Sequence, residues 1–251
     1  MIKGIEVFRE RLKSFKKDYV IIGGAACDVL MSDAGFNFRV TKDIDIVLLI
    51  ENMNGDFAQN MWDFIKEGNY ENSGKNNSKQ YYRFSNPLNE NFPSMLEFFS
   101  RKPDLFDSIK EARILPVRMP GYVSSLSAIL LDDEYYQFIK SNTVEINGLV
   151  LASPESLIIL KSKAYLDLNE RRQKGESIDS RDIKKHKNDI IRLTQLLIPS
   201  RNIEIPELIR KDMNDFLLMI ENEKSTDPKQ LGLSGLSLDD ILARIRGLIN
   251  K

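Results

Sequence analysis

Cysteine, histidine and tryptophan are almost absent from this chain of 251 residues, which contains one of each. A single cysteine excludes an internal disulfide and is typical of a reducing compartment. A global excess of positive charge is lacking too, because 36 basic residues stand against 37 acidic ones and the formal net charge is −1. Any contact with nucleic acid would therefore depend on a local basic patch.

Long hydrophobic runs are also missing. No apolar stretch reaches the roughly 20 residues that a membrane-spanning helix needs, and residues 1–19 carry too many charges for a signal peptide. We therefore expect a cytoplasmic protein with no membrane partner. Hydrophobic residues make up 42% of the chain and charged residues 29%, which is typical of a globular protein with a packed core.

The first half of the chain combines strand and helix patterns. Helical spacing over 2–17 precedes the apolar strand YVII, the short helix AACDVLMS and the strand DIDIVLLI. A helix over GDFAQNMWDFIKEGN, a hairpin around NSGKNNS and the strands SMLEFFS and ARILPV follow. We predict an α/β (α+β) core with a mixed sheet over 1–125.

The second half is predicted to be mainly helical. TVEINGLVLAS predicts a hairpin that turns at Asn147-Gly148, and Ser153-Pro154 is typical of a helix start. Helical patterns follow at 154–172, 181–197, 205–222 and 236–249. We predict a second, mainly helical domain over 126–251.

Asp43 and Asp45 open an apolar strand. Alternate residues of a strand share a face, so both carboxylates point the same way. About 6.5 Å apart, they repel by roughly 2–3 kcal/mol at an effective dielectric near 20. A cation bound between the two carboxylates turns this repulsion into a net attraction, and Mg²⁺ takes carboxylate oxygens as ligands. The alternative is that the pair simply faces solvent at the strand's beginning.

Glu97 is a candidate third acid. It lies in SMLEFFS between apolar neighbours, where a lone carboxylate is costly unless it is paired or binds a metal. The alternative is a salt bridge to Arg83 or Arg101.

Gly23 and Gly24 lie between the first strand and a helix. Bare backbone N–H groups at a helix N-terminus favour a phosphate. The alternative is a tight strand-to-helix turn with no ligand. A GKS or GKT sequence does not follow, so the loop is not of the Walker type.

Together, the Gly-Gly pair, the short helix, Asp-Xaa-Asp and a later carboxylate resemble the polymerase-beta-like nucleotidyltransferase superfamily over about 19–100. The resemblance implies a nucleotide loop at Gly23, Gly24 and Ala25. It implies that Asp43, Asp45 and Glu97 bind Mg²⁺ or Mn²⁺. Many members of that superfamily have Asp at the third place, and Glu is longer by one methylene.

The helical half narrows the resemblance. SPESLIILKSKAYLDL, followed by SRDIKKHKNDIIRL, looks like the AbiEii/AbiGii nucleotidyltransferase toxin family. In that family a helical lysine and later aspartates complete the site, which implies roles here for Lys161, Asp182 and Asp189.

Helical spacing places Lys161 within an apolar stripe and aligns Asp182, His186 and Asp189 on the next helix. All four are therefore expected to face inward, although the sequence does not assign a role to His186. The alternative is a Lys161–Asp pair that joins two helices as a strut. Lys163, Lys184, Lys185 and Lys187 are expected off or at the edge of these stripes, as solvated side chains.

The resemblance implies transfer of a nucleoside monophosphate from an NTP onto the end of a tRNA or other RNA, or onto a protein hydroxyl. It also implies a toxin of a toxin–antitoxin or phage-defence system with a cognate antitoxin. An Asp-Xaa-Asp phosphohydrolase is disfavoured because its aspartates follow a strand. An Asp-Xaa-Asp glycosyltransferase would leave the Gly-Gly element and Lys161 unexplained. A catalytically inactive nucleotide- or partner-binding module on the same fold is the remaining alternative.

Overall fold

The computed structural model describes residues 2–49, 55–72, 81–99, 129–130, 132–199, 202–223 and 226–249. The chain divides into two compact units, Met1–Pro120 with Thr143–Ala152, and Gly121–Asn142 with Ser153–Lys251. Three features predicted above fall wholly or partly outside the described residues: the NSGKNNS turn, the strand ARILPV and residue Arg101. The domain boundary at residue 125 lies there too and stays a prediction.

The first unit is built on a mixed sheet. Its described helices are α1 (Ile5–Leu12), α2 (Gly23–Asp33) and α3 (Gly55–Gly68). Its described strands are β1 (Tyr19–Ile22), β2 (Asp43–Leu48), β3 (Glu71–Asn72), β4 (Tyr81–Ser85), β5 (Met95–Phe99), β6 (Thr143–Ile146) and β7 (Leu149–Ala152).

The described strands form one seven-stranded sheet in the order β3-β4-β5-β2-β1-β7-β6. β2 pairs with β1 antiparallel and with β5 parallel, and β7 pairs with β1 parallel. The predicted mixed-sheet α/β class is confirmed. β1 and β2 lie in the middle of the sheet, so the residues at their ends are supported from both sides.

Burial explains why β2 forms where it does. Ile44, Ile46 and Leu48 are fully buried on one face, and Val47 and Leu49 are almost fully buried on the other. Each such side chain stabilises the fold by roughly 1.5–3 kcal/mol. The carboxylates at the beginning of the strand are therefore held on a rigid element.

The hairpin β6–β7 is confirmed. Asn147 and Gly148 both have positive φ, 50° and 84°, as a two-residue turn of type I′ requires. β6 and β7 pair antiparallel, and β7 extends the sheet of the first unit.

The second unit is helical over its described residues. Its helices are α4 (Asp133–Ser141), α5 (Pro154–Gln173), α6 (Ser180–Leu193), α7 (Glu207–Asn222) and α8 (Leu238–Ile249). The predicted helix start is confirmed, because the Ser153 hydroxyl accepts a hydrogen bond from the Ser156 N–H at 3.2 Å and Pro154 is the first helical residue. None of the helices in the described ranges is long and apolar enough to cross a membrane.

Candidate active site

A row of paired residues crosses the sheet at its centre. Asp45 in β2 is in register with Ile22 in β1 and with Glu97 in β5, and Glu97 is in register with Arg83 in β4. Residues in register on neighbouring strands face the same side of a sheet. Asp43 is two residues before Asp45 and shares that side. Both aspartates are half-buried, so the predicted pairing on one face is found.

Gly23 is in direct contact with Asp45. Its φ is +68°, and a Cβ built on it would lie 1.8 Å from Oδ2 of Asp45. The carboxylate thus rests against the backbone at the first residue of α2. Glycine is required here twice, by a conformation that L side chains rarely adopt and by the space that Asp45 occupies.

Gly24 is in contact with two residues that the sequence analysis missed. A Cβ at this position would lie 2.7 Å from Oγ1 of Thr41 and 3.2 Å from Nη2 of Arg39. The guanidinium of Arg39 therefore lies beside the start of α2. Thr41 and Arg39 precede β2, which begins at Asp43, so the strand period does not reach them and no signal in the sequence identified them.

The start of α2 has the character of an anion site. Ile22 is its N-cap residue and has no side-chain acceptor for the N–H groups of the first turn. Ala25 is small and buried. The helix N-terminus carries partial positive charge, and the Arg39 guanidinium adds a full one. A phosphate would therefore find donors from both backbone and side chain.

Glu97 forms the salt bridge that was the alternative to metal binding. It is 3% exposed, and its Oε1 accepts hydrogen bonds from Arg83 at 2.7 Å from Nε and 2.5 Å from Nη2. The guanidinium compensates the buried charge. A role for Glu97 as third metal ligand stays a prediction, because Arg83 competes for at least one of its oxygens.

Asp43 and Asp45 are suited to bind an Mg²⁺ ion that takes its other ligands from a substrate. Among the described residues, no group of three or more His, Cys, Asp or Glu side chains is placed to bind a metal by itself. Mg²⁺ bound through one or two carboxylates usually takes its remaining ligands from water and substrate phosphates. Two half-buried aspartates beside the candidate phosphate site at the start of α2 match that pattern.

The helical unit contains a buried ion pair. Lys161 on α5 donates a hydrogen bond to Oδ2 of Asp189 on α6 at 2.9 Å, and the two residues are 5% and 0% exposed. This is the strut that the sequence analysis left open as the alternative. Asp182 and His186 are half-buried on α6. Catalytic roles for Lys161, Asp182 and Asp189 stay predictions.

Lys163 is a correction to the sequence analysis. It was expected to be solvated, and its side chain is 32% exposed, but its amine also forms an ion pair with Oδ2 of Asp212 at 2.7 Å. That carboxylate oxygen accepts a hydrogen bond from the Tyr135 hydroxyl at 2.7 Å. Burial, followed by the hydrogen bond to Asp212 and the charge of Asp212, raises the pKa of Tyr135, so the phenol remains protonated and continues to donate. The spacing along α5 could not show that α7 supplies Asp212.

Lys187 is a second correction. It was expected off or at the edge of the buried stripe of α6, as a solvated side chain, but it is 6% exposed and its amine lies 2.6 Å from Oε1 of Glu223. The buried residues of α6 include the predicted Asp189 and Leu193 and, in addition, Ile183, Lys187 and Ile190. The buried face of α6 is therefore wider than the predicted stripe and takes in Lys187.

Comparison with known proteins gives only distant likenesses. No family model matches the chain, and no curated protein matches it. The chain is similar to the antibiotic-resistance factor ANT(2'')-Ia, at 12% identity and a TM-score of 0.42 over 88% of this chain and 94% of that one. It is also similar to the Megavirus polyadenylate synthase, at 11% identity and a TM-score of 0.33 over 97% of this chain. The match covers 47% of that synthase, so the chain spans about half its length. At this level of similarity, neither structure assigns a function to the chain.

Proposed function

We propose that this protein is a metal-dependent nucleotidyltransferase whose site is built on Gly23, Gly24, Asp43 and Asp45. The contact between the Asp45 carboxylate and the first residue of α2 carries the proposal. It places a carboxylate suited to a cation directly beside a helix start suited to an anion. A metal-bound triphosphate has both charges.

The roles of the residues follow from their charges and positions. The N–H groups at Gly24 and Ala25 and the guanidinium of Arg39 would bind phosphate oxygens. Asp43 and Asp45 would bind Mg²⁺ or Mn²⁺, with Glu97 as the proposed third acid. A metal bound there would neutralise phosphate charge and lower the pKa of the attacking hydroxyl.

The transfer itself is a displacement at phosphorus. The acceptor hydroxyl oxygen forms a bond to the α-phosphorus of the NTP, and the bond from that phosphorus to the oxygen bridging to the β-phosphate breaks. Pyrophosphate leaves, and the hydroxyl proton passes to solvent. The fixed positions of β2 and α2 would contribute mainly by orienting the triphosphate.

The finer assignment depends on the resemblance to the AbiEii/AbiGii toxins. We propose an acceptor that is the end of a tRNA or other RNA, or a protein hydroxyl, and a cytoplasmic toxin controlled by a cognate antitoxin. The KSKAYLDL and SRDIKKHKND motifs support this assignment. Lys161, with Asp182 and Asp189, is proposed to complete the site.

Triphosphate binding is the first test. The melting temperature should rise with an NTP plus Mg²⁺, because ligand that binds only the folded state stabilises it by about 2.7 kcal/mol at 100 times Kd. Arg39→Ala should reduce that rise, and Lys42→Ala, an exposed neighbour, should not. Gly24→Val is a poorer probe because its side chain would press on Thr41. An unchanged melting temperature with all four triphosphates would contradict the proposal.

Transfer is the second test. Labelled NTP incubated with Mg²⁺ and total RNA or lysate should label an acceptor, and Asp43→Ala and Asp45→Ala should abolish labelling while the protein stays folded. Without metal these variants should be as stable as the parent or slightly more so, because a like-charge repulsion is removed. Asp33→Ala, at the exposed end of α2, is the matched control and should retain activity.

A catalytically inactive binding module is the second candidate function. Two of the proposed site acids, Glu97 and Asp189, form buried ion pairs with Arg83 and Lys161, as expected of structural residues. This module would show the NTP-dependent rise in melting temperature and no labelled acceptor.

A further inference from the structure

The helical unit contains a pocket of about 590 Å³ bordered by α5, α6 and α7. Its volume lies within the range of small-molecule sites, roughly 300–1,000 Å³. The proposed function does not use it. Most of the residues that line it are polar, and they include three cationic side chains and one carboxylate.

The carboxylate of this pocket is already neutralised. Oε1 of Glu223 accepts a hydrogen bond from the Lys187 amine at 2.6 Å, and Oε2 accepts one from the Tyr165 hydroxyl at 3.0 Å. Burial, followed by the charge of Glu223, raises the pKa of Tyr165, so the phenol stays protonated and continues to donate. Lys187 and Glu223 together therefore contribute almost no net charge to the pocket.

The two remaining cations give the pocket a net positive charge. Arg172 near the end of α5 and Lys184 on α6 are exposed. Within the part of the chain that the structure describes, neither forms an ion pair with a carboxylate. A multiply charged anion would gain two charge-assisted contacts there without displacing an acid.

The rest of the lining fits a nucleoside better than a simple anion. Asn169 and Asn222 donate their amide N–H groups to the carbonyls of Tyr165 and Leu218 at 2.7 and 2.9 Å. Their amide oxygens are thereby left as acceptors for hydroxyl or amino groups of a ligand. Ile183, Met219 and Tyr165 add apolar atoms to the lining; Ile183 and Tyr165 are only 7% and 4% exposed, and Met219 presents the larger apolar surface to a base.

We propose that this pocket binds the phosphate and base of a nucleotide, with Arg172 and Lys184 on the phosphate. The chemistry is shared by a free nucleotide and by one nucleotide of a single strand. The proposal does not depend on the site at Gly23 and Asp45, since none of the residues proposed for that site, including Lys161, Asp182 and Asp189, lines the pocket.

Fluorescence titration tests the proposal with three probes: uridine monophosphate, a labelled single-stranded RNA hexamer, and a labelled hexaglutamate peptide. We expect Arg172→Glu and Lys184→Glu each to weaken RNA binding by at least tenfold at fixed salt. Lys185→Glu is the matched control, because this substitution changes the net charge by the same amount. Lys185 is exposed on the same helix as Lys184 and does not line the pocket. It should weaken binding by less than about threefold, the part that follows from net charge alone.

Each outcome has a definite meaning. If uridine monophosphate competes with the hexamer, the ligand is a mononucleotide. If only the hexamer binds, the ligand is a single strand. Each of these results supports the proposal, provided that Lys184→Glu weakens the binding. Equal losses in the Lys184 and Lys185 variants, equal binding of hexaglutamate, or no binding of either nucleotide probe would overturn it. The titration repeated with Asp43→Ala separates the two sites, because the pocket should still bind RNA when the proposed metal site is lost.

Discussion

The Asp45 carboxylate occupies the space in which a side chain at Gly23 would lie, with Oδ2 only 1.8 Å from the position of that Cβ. Strand β2 and helix α2 are thereby fixed to each other at the residues proposed to bind metal and phosphate. The contact needs a glycine and an aspartate that are 22 positions apart in sequence, and it gives the proposed site its sharpest structural test.

Gly23→Ala should destabilise the protein by clearly more than Gly35→Ala. Both glycines have positive φ, 68° and 79°, but no atom lies within 4 Å of a Cβ at Gly35. Gly35→Ala, the control, should therefore lower the free energy of unfolding only by the backbone cost, about 1–2 kcal/mol. Gly23→Ala should lower it by that cost plus the cost of displacing Asp45. Urea denaturation measures both, and the excess should shrink when Asp45 is also alanine. Equal costs would show that Asp45 moves aside freely.

Arg83→Met should destabilise the protein by about 3 kcal/mol, because it leaves the buried Glu97 carboxylate without its guanidinium. Arg83→Met combined with Glu97→Gln should recover part of that loss. If Glu97 is the third metal ligand, the stabilisation by Mg²⁺ plus NTP should increase in Arg83→Met, because the competitor for Oε1 is gone. An unchanged Mg²⁺ effect would make Glu97 a structural residue.

Lys161→Met should cost about 3–5 kcal/mol, because Asp189 is fully buried and would lose its ion pair with the Lys161 amine. Lys174→Met, at the C-cap of the same helix, is the control, because its pair with Glu170 is exposed, and it should leave the denaturation midpoint unchanged. Lys163 cannot serve as that control because it pairs with Asp212. A loss of transfer activity per folded molecule would support the proposed catalytic role of Lys161. Full activity would show that Lys161 serves only as a structural link between two helices.

Asp18→Asn should make the protein more stable at pH 7. Burial raises the pKa of the Asp18 carboxyl, so the folded protein binds this proton more tightly than the unfolded chain. The stabilisation from the neutral form is complete below the ordinary pKa and is lost as the pH rises through the folded pKa. Urea midpoints should therefore favour the variant at pH 7 and converge with the parent near pH 3. A midpoint difference that does not change with pH would contradict this origin.

Much of the fold was predictable from local patterns. The alternation of apolar residues after Asp43, the Asn147-Gly148 turn and the Ser153-Pro154 helix start each encode their structure within a few residues. The pairing of Asp43 and Asp45 on one face follows from the same strand period. The order of the strands did not follow, because pairing β2 with β5 depends on contacts between segments some fifty residues apart.

The charged residues show where prediction from sequence fails. Lys163 and Lys187 look like solvated lysines in their own helices, yet each pairs with a carboxylate supplied by another segment. A buried amine such as that of Lys187 is tolerated only when such a partner is present, and helical period does not contain that information.

The sequence by itself determined which side chains share a face of a strand and where several helices and turns begin, since those follow from backbone period and turn chemistry. Only the tertiary structure decided that Arg39 and Thr41 lie against Gly24, that Asp45 fills the space above Gly23, and that Glu97 pairs with Arg83. The physical reason is that ion pairs and close backbone contacts depend on distances of a few ångströms, and packing sets those distances between residues far apart in the chain.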